Sequence, residues 1–366
     1  MKGKLILLSR AVYAIAWFFV APAVPGMLKA YGLESSFASL VVSSFFVATG
    51  LMQVPSALVS SRLGAKRAYS LGLMIIGASE MALGLAKSPT EVLAFYFLTG
   101  VGASLFFSSA GGTLARLNQG EEQKAMGLYN ALFSVGGTFG LLLGPLEALY
   151  GFGPVAVVVG SVTAILGLLN LLSDYPNYFA EANGRNAVAL ALMALATSGV
   201  WGVYYLVTEL FPTYVYLAYD VPPSESSLIE TLATLASAAG GFSLLLSRKS
   251  LARPFEVLAV SALGVAPAVL IYFRELWAIG LLLLGFFNEM AISVIYAYTL
   301  SLSGQRSGTL GLAIINSGEI LGGVALFTLA GIDLQSSFAL ATAVSLAELA
   351  FVMPISKFGS KGFSGK

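Results

Sequence analysis

The sequence predicts an all-α polytopic membrane protein with twelve transmembrane helices in two pseudo-symmetric six-helix bundles. Three observations carry this. First, 57% of the 366 residues are hydrophobic and only 10% are charged, against about 25% charged in a soluble domain. The mean hydropathy is +0.86. Second, twelve apolar runs reach the length of about 20 residues that a bilayer-crossing helix needs. Third, local patterns in the first half return in the second at an offset close to half the chain.

The twelve runs are 5–30, 36–61, 66–86, 90–115, 123–149, 154–173, 186–216, 225–247, 253–273, 275–301, 308–330 and 335–356. They are too long for barrel strands and lack their alternation. The first follows Met1-Lys2-Gly3-Lys4 and exceeds the 7–15 apolar residues of a signal peptide, so it reads as a retained helix. Short links make the chain run up and down. With both termini placed inside, all but three of the nineteen Lys and Arg residues fall on the inner side; the exceptions are Lys29, Lys87 and Arg274. Basic residues concentrate on the cytoplasmic side of membrane proteins. The expected location is the cell (plasma) membrane, with both termini cytoplasmic.

The repeat is carried by several matches in order. Glu34-Ser35-Ser36 opens the second span, and Glu225-Ser226-Ser227 opens the eighth. Basic residues Arg62, Lys66 and Arg67 follow the second span; Arg248, Lys249 and Arg253 follow the eighth. Gly136 and Gly140 in the fifth span have the spacing of Gly318 and Gly322 in the eleventh. The expected division is 1–173 for the first bundle, 174–185 for a cytoplasmic linker and 186–366 for the second bundle.

Composition also excludes chemistry. The chain has no Cys and no His, which removes disulfides, His-ligated metal sites and Ser-His-Asp or Cys-His catalysis. No Walker-type loop and no Gly-x-Ser-x-Gly elbow occurs. A net charge of +1 without a basic block gives no footprint for nucleic acid. No cofactor and no enzyme activity are expected.

The stretch Ala57-Leu-Val-Ser-Ser61-Arg62-Leu-Gly64-Ala-Lys66-Arg67 resembles the loop motif between helices two and three of major facilitator superfamily transporters. Gly64 suits a tight turn. Ala57 stands where the family has glycine and Ser61 where it has aspartate, so a latch centred on that aspartate is not expected. Gly136-Gly137-Thr-Phe-Gly140-Leu-Leu-Leu-Gly144-Pro145 is similar to a fifth-helix motif frequent in proton-coupled exporters of the superfamily. Its glycines also suit plain close helix packing. Gly100-Val-Gly102 resembles a fourth-helix motif, but Tyr96 replaces the arginine that often precedes it. Pro22, Pro25, Pro145 and Pro212 are expected to break or bend helices beside a central cavity.

The resemblance implies a secondary active transporter that moves a small solute by alternating access as a monomer, with protons the expected coupling ion. A sodium-coupled or uncoupled carrier is the alternative; a non-transporting sensor or a membrane-embedded enzyme is further off. The resemblance also makes helices three, six, nine and twelve peripheral. That sets aside Glu80 and Glu348 as snorkelling or hydrogen-bonded acids. Glu230 follows Ser227 at capping-box spacing. A charge at membrane depth costs about 2.5–3.5 kcal/mol and needs a reason. Better placed are Glu209 with Trp201 and Tyr205 at four-residue steps, Glu289 beside Asn288, and Glu319 three residues after Asn316, because the resemblance puts helices seven, ten and eleven on the cavity; there an acid would bind a proton or a cationic substrate. From the first half, Arg10, Tyr13 and Trp17 align on one face. Asn130 and Gln53 add polar groups at depth. An anionic group would meet Arg10.

Overall fold

The computed structural model describes residues 2–119, 122–179, 186–245, 253–303 and 308–355. Residues 180–185 of the expected linker, with Arg185, Arg248, Lys249, Arg306, Lys357, Lys361 and Lys366, lie outside the described residues. Twelve helical rods follow one another: α1 (Lys4–Tyr31), α2 (Ser36–Leu63), α3 (Ala65–Gly84), α4 (Pro89–Leu117), α5 (Ala125–Tyr150), α6 (Phe152–Leu172), α7 (Ala187–Tyr219), α8 (Pro223–Leu245), α9 (Pro254–Tyr272), α10 (Arg274–Thr299), α11 (Gly308–Ile332) and α12 (Ser336–Ile355). Eleven are long and apolar enough to cross a bilayer over their described residues. The other is α3, whose 20 residues include Lys66, Arg67 and Glu80. No strand occurs among the described residues. Lipid offers the backbone no hydrogen bonds, so each span satisfies its own.

Local chemistry sets the ends. Ser88 caps α4 by accepting from the Glu91 amide at 3.3 Å, while Glu91 accepts from the Lys87 amide at 2.7 Å. Gly32, Gly64 and Gly151 take positive φ at the α1–α2, α2–α3 and α5–α6 turns. Pro22 and Pro25 interrupt α1, which passes through a 3-10 turn at Ala21–Ala23. Pro145 starts a new helical segment after a break at Leu142 and Leu143 in α5. Pro212 remains inside an unbroken α7. Because α8 begins at Pro223, the Ser227–Glu230 pair lies inside the helix; the Ser227 hydroxyl donates to the Ser224 carbonyl instead of capping.

The chain runs up and down. At one end the Lys2 amide donates to Asn118 and the Leu5 amide to Tyr175. At the other, the Tyr31 hydroxyl reaches the Ala86 carbonyl, and Gly84 meets Gly153. Lys2, Lys4, Arg62, Lys66, Arg67 and Arg116 gather at the first end, here called the basic end. Lys29, Lys87 and Arg274 sit at the opposite end.

Packing repeats between the two sets of six helices. Gly136 of α5 abuts the Ala11 carbonyl of α1, and Gly140 lies against Ile15 and Phe18. In the second set, Gly318 and Gly322 of α11 abut Ala194 and Ser198 of α7. Likewise Gly100 of α4 faces the Phe45 carbonyl of α2, and Gly240 of α8 faces the Phe286 carbonyl of α10. Gly144 departs from its neighbours and packs on Pro22 and on Ser227 of α8. The two sets meet along α2 with α11, where the Ser317 hydroxyl donates to the Gly50 carbonyl at 2.7 Å, and along α5 with α8. Large apolar side chains such as Leu40, Leu51, Val158, Ile165 and Ile279 are exposed on the outside, the surface that lipid solvates.

Candidate functional site: a polar cavity at mid-depth

Where the two sets of helices face each other, a cavity of about 30 Å³ remains, space for about two waters. Its polar groups are Arg10, Asn130, Glu289, Tyr296 and Asn316. Tyr13, Trp17, Phe107, Phe133, Trp201, Tyr205 and Ile292 complete the wall. Rings from both sets interlock on either side of it. Trp17 lies 5.5 Å from Tyr205, and Phe46 lies 4.7 Å from Trp201. Nearer the basic end, Phe107 of α4 lies 6.0 Å from Tyr296 of α10.

Arg10 is 4% exposed. Its guanidinium carbon lies 4.3 Å from the ring centre of Phe133, 4.4 Å from Tyr129, 4.8 Å from Tyr13 and 5.1 Å from Phe107. Such rings attract a cation through their quadrupoles. The ring faces accept no strong hydrogen bond, and Nε and Nη1 have no hydrogen-bond partner within bonding geometry among the described residues. Glu289 stands across the cavity within electrostatic reach of Arg10. Its Oε2 accepts from Ser237 of α8 at 3.0 Å and from Ser134 of α5 at 3.2 Å, and the two serine oxygens are 2.8 Å apart. One carboxylate oxygen thus joins both sets of helices. Tyr296 donates to Asn316 at 2.8 Å, and Asn130 donates to Ser293 at 3.4 Å.

The remaining candidates lie elsewhere. Asn288 donates to the carbonyls of Val200 at 2.6 Å and Gly264 at 3.1 Å, strapping α10 to α7 and α9. Glu319 sits between α11 and α7, accepting from Thr197 at 2.8 Å. Glu209 is buried toward the opposite end, where it acts electrostatically on Glu230. All four carboxyl oxygens of these two acids lack a hydrogen-bond partner among the described residues. Gln53 is buried in α2, and its amide has no hydrogen-bond partner among the described residues. None of these five lines the cavity. Glu80 is buried in α3 with no hydrogen-bond partner among the described residues, whereas Glu348 accepts from Ser198 at 3.1 Å. Phe107, Tyr129 and Phe133 were not singled out in the sequence, although Phe133 follows Asn130 at the helical spacing that shares a face. Ser237 gave no signal, since small hydroxyl residues are common in membrane helices.

The α2–α3 loop is also ordered by residues far away in sequence. Gly64 (φ +85°) leaves room for the Asn177 side chain. Asn177 accepts from the Lys66 amide at 3.0 Å and donates to the Leu63 carbonyl at 3.0 Å. Lys66 Nζ donates to the Ser173 carbonyl at 2.9 Å, and the Ala65 amide donates to the Tyr178 carbonyl at 2.6 Å. Arg116 donates to the Phe179 carbonyl at 3.2 Å. Ser61 donates only to the Leu58 carbonyl, at 2.7 Å, and Arg62 is exposed. Residues 173–179, rather than an aspartate at position 61, hold this loop.

Twelve up-and-down membrane helices around a charged cavity define a multi-span membrane protein built around a central site. The major facilitator superfamily model matches residues 6–326, and the chain belongs to that family. It is 29% identical over 152 residues to the multidrug efflux protein YfmO of Bacillus subtilis (strain 168), covering 39% of this chain and 38% of that protein. It is 27% identical over 185 residues to the fosmidomycin resistance protein of Escherichia coli (strain K12), covering 49% and 45%. It is 22% identical over 211 residues to the probable nitrate transporter NarT of Staphylococcus haemolyticus (strain JCSC1435), covering 57% and 52%. The chain thus matches only part of the length of these curated relatives. Among solved structures, the human organic anion transporter MFSD10 has a TM-score of 0.72 at 15% identity, covering 95% of this chain and 98% of that one. A bacterial homolog of the human lysosomal transporter Spinster, inward-facing and occupied, has a TM-score of 0.67 at 16% identity, covering 98% and 96%. These likenesses establish the twelve-helix fold.

Proposed function

We propose that the chain is a secondary active transporter that carries a small solute through the central cavity by alternating access, with protons as the coupling ion. The observation that carries this reading is Glu289. It is an acid at membrane depth in the cavity wall, hydrogen-bonded through one oxygen to both sets of helices. An ionised carboxylate is costly there, and a proton removes the charge without disturbing the two serine contacts. Reorganising α5 against α8 breaks those contacts, so proton occupancy and helix arrangement act on one atom. The relatives' names span multidrug efflux, fosmidomycin resistance and nitrate transport. They support carriage of small molecules without selecting one.

The working units are residues 1–173 and 186–366, with 174–185 between them; the matched glycine contacts of α1 with α5 and α7 with α11 support that division. The basic end faces the cytoplasm of a cell membrane. In a chain with no natural cysteine, Lys29→Cys is expected to react with an impermeant thiol reagent from outside intact cells and Lys2→Cys only after lysis. The reverse pattern overturns the orientation.

The coupling is tested in liposomes that hold only this protein and a pH-sensitive dye. Solutes that raise the thermal stability of the purified protein are the probes. Their entry is expected to move protons and to lose its uphill component when a protonophore is added. Flux that ignores pH and protonophore identifies an uncoupled carrier, and flux that requires a sodium gradient identifies a sodium-coupled one. No flux of any stabilising solute removes the transport reading.

A further inference from the structure

We propose that the cavity takes a planar monovalent oxyanion on Arg10, and that this anion binds only when Glu289 carries a proton, so that one proton accompanies each anion. The inference rests on the reading of the cavity as the solute site and gives that solute a chemical class.

The argument begins with unmet donors. Arg10 is the cation of the cavity wall, and two of its nitrogens have no acceptor among the described residues. A guanidinium is always charged and offers N–H groups in a planar fork that matches a carboxylate or nitrate head. Four rings surround it. They tolerate the cation but supply no counter-charge. Asn130 and Asn316 line the same cavity, and their side-chain amides can donate to further oxygens of the anion. A cationic solute would instead meet Arg10 across a cavity too small to separate the two charges.

The second step is charge counting. The groups around Glu289 are Arg10 of α1, Ser134 of α5, Tyr204 and Tyr205 of α7, Ser237 of α8 and Tyr296 of its own helix; Glu319 of α11 acts on Tyr296. Among them Arg10 is the cation and Glu289 the acid whose oxygen lies in the wall. With Glu289 ionised and no anion bound, the pair sums to zero. With Glu289 protonated and a monoanion on Arg10, it again sums to zero. Ionised Glu289 with a bound anion leaves −1, and protonated Glu289 without an anion leaves +1. A net charge at membrane depth is penalised, so the two neutral states are the ones that move through the membrane. The carboxylate and the anion therefore compete for one guanidinium, and a proton decides between them.

The test uses the purified protein and two probes, sodium nitrate and sodium formate, each compared with sodium chloride at equal ionic strength. Choline chloride is the cationic control. Thermal stability and calorimetric titration are measured in an acidic and an alkaline buffer. At least one oxyanion is expected to raise the unfolding midpoint, more in acid than in alkali, with one proton taken up per anion bound. Glu289→Gln is expected to bind that oxyanion equally in both buffers, and Arg10→Gln to lose binding. Where Arg10→Gln fails to fold, Arg10→Lys keeps the charge without the fork and is expected to weaken binding at least about tenfold. Stabilisation by choline alone, parent-like binding by the Arg10 variant, or an unchanged pH dependence in Glu289→Gln overturns the inference. Proton-coupled flux of a cationic or neutral solute overturns it while leaving the proposed function standing.

Discussion

Glu289→Gln is expected to abolish proton-driven solute accumulation while Glu319→Gln keeps it. Both acids are buried at membrane depth, and Gln has nearly the same shape in either place. The difference lies in their surroundings. Glu289 is in the cavity wall within reach of Arg10, and both Ser134 and Ser237 donate to it. Gln at 289 still accepts from those hydroxyls through its amide oxygen but cannot release a proton. Uphill transport should fall by more than about tenfold, equivalent to about 1.4 kcal/mol of lost coupling, while passive solute exchange down its gradient survives. Glu319 accepts one bond from Thr197 away from the cavity, and Gln accepts the same bond. The measurement is gradient-driven uptake at matched incorporation, with thermal stability recorded for both variants. Loss of accumulation in Glu319→Gln alone would move the proton site to the α7–α11 interface.

Gly136→Val is expected to leave no properly folded protein in detergent extracts. A side chain at position 136 meets the Ala11 carbonyl, and the atoms in the way are backbone atoms of α1 that cannot rotate aside. Overpacking of a tight interface costs about 1–3 kcal/mol and sometimes more. Here the alternative is separation of α1 from α5, which also displaces Arg10, one residue before the contact. Gly26→Ala is the control, because a Cβ there meets nothing within 4 Å. Size-exclusion profiles and unfolding midpoints separate the outcomes. A monodisperse, stable Gly136→Val protein would show that α1 and α5 can part without loss of the fold.

The helices are readable in the sequence because lipid forces each span to satisfy its own backbone. Lys and Arg outside the spans mark one end of the bundle because basic residues collect in the loops of one side. Rotation of a helix about its axis is much less readable. Spans such as α7, α10 and α11 are apolar on nearly every side, so no polar stripe shows which face turns inward. Glu209, Glu289 and Glu319 therefore look alike in one dimension. Packing separates them, since the glycines of α11 press on α7 and leave Glu319 beside Thr197. Arg10, Tyr13 and Trp17 were easier because three strong side chains share one helical face. Asn177 was hidden for another reason: its partners at 63 and 66 are more than a hundred residues away, and an Asn after a Pro reads as an ordinary turn.

The segment from Ser173 to Phe179 is tied to the α2–α3 loop and to Arg116, so mechanically it belongs to the first six helices. The chain passes to the second set between Phe179 and Asn186, which donates to the Leu302 carbonyl at 3.0 Å. Fully extended, that stretch reaches roughly 25 Å. In the alternating-access cycle proposed above, chain length would cap how far the two sets separate at the basic end. The opposite end has no covalent leash of this kind, only the side-chain and backbone contacts between the sets. The two mouths of such a carrier would thus have unequal travel stops, one fixed by chain length and the other by packing alone.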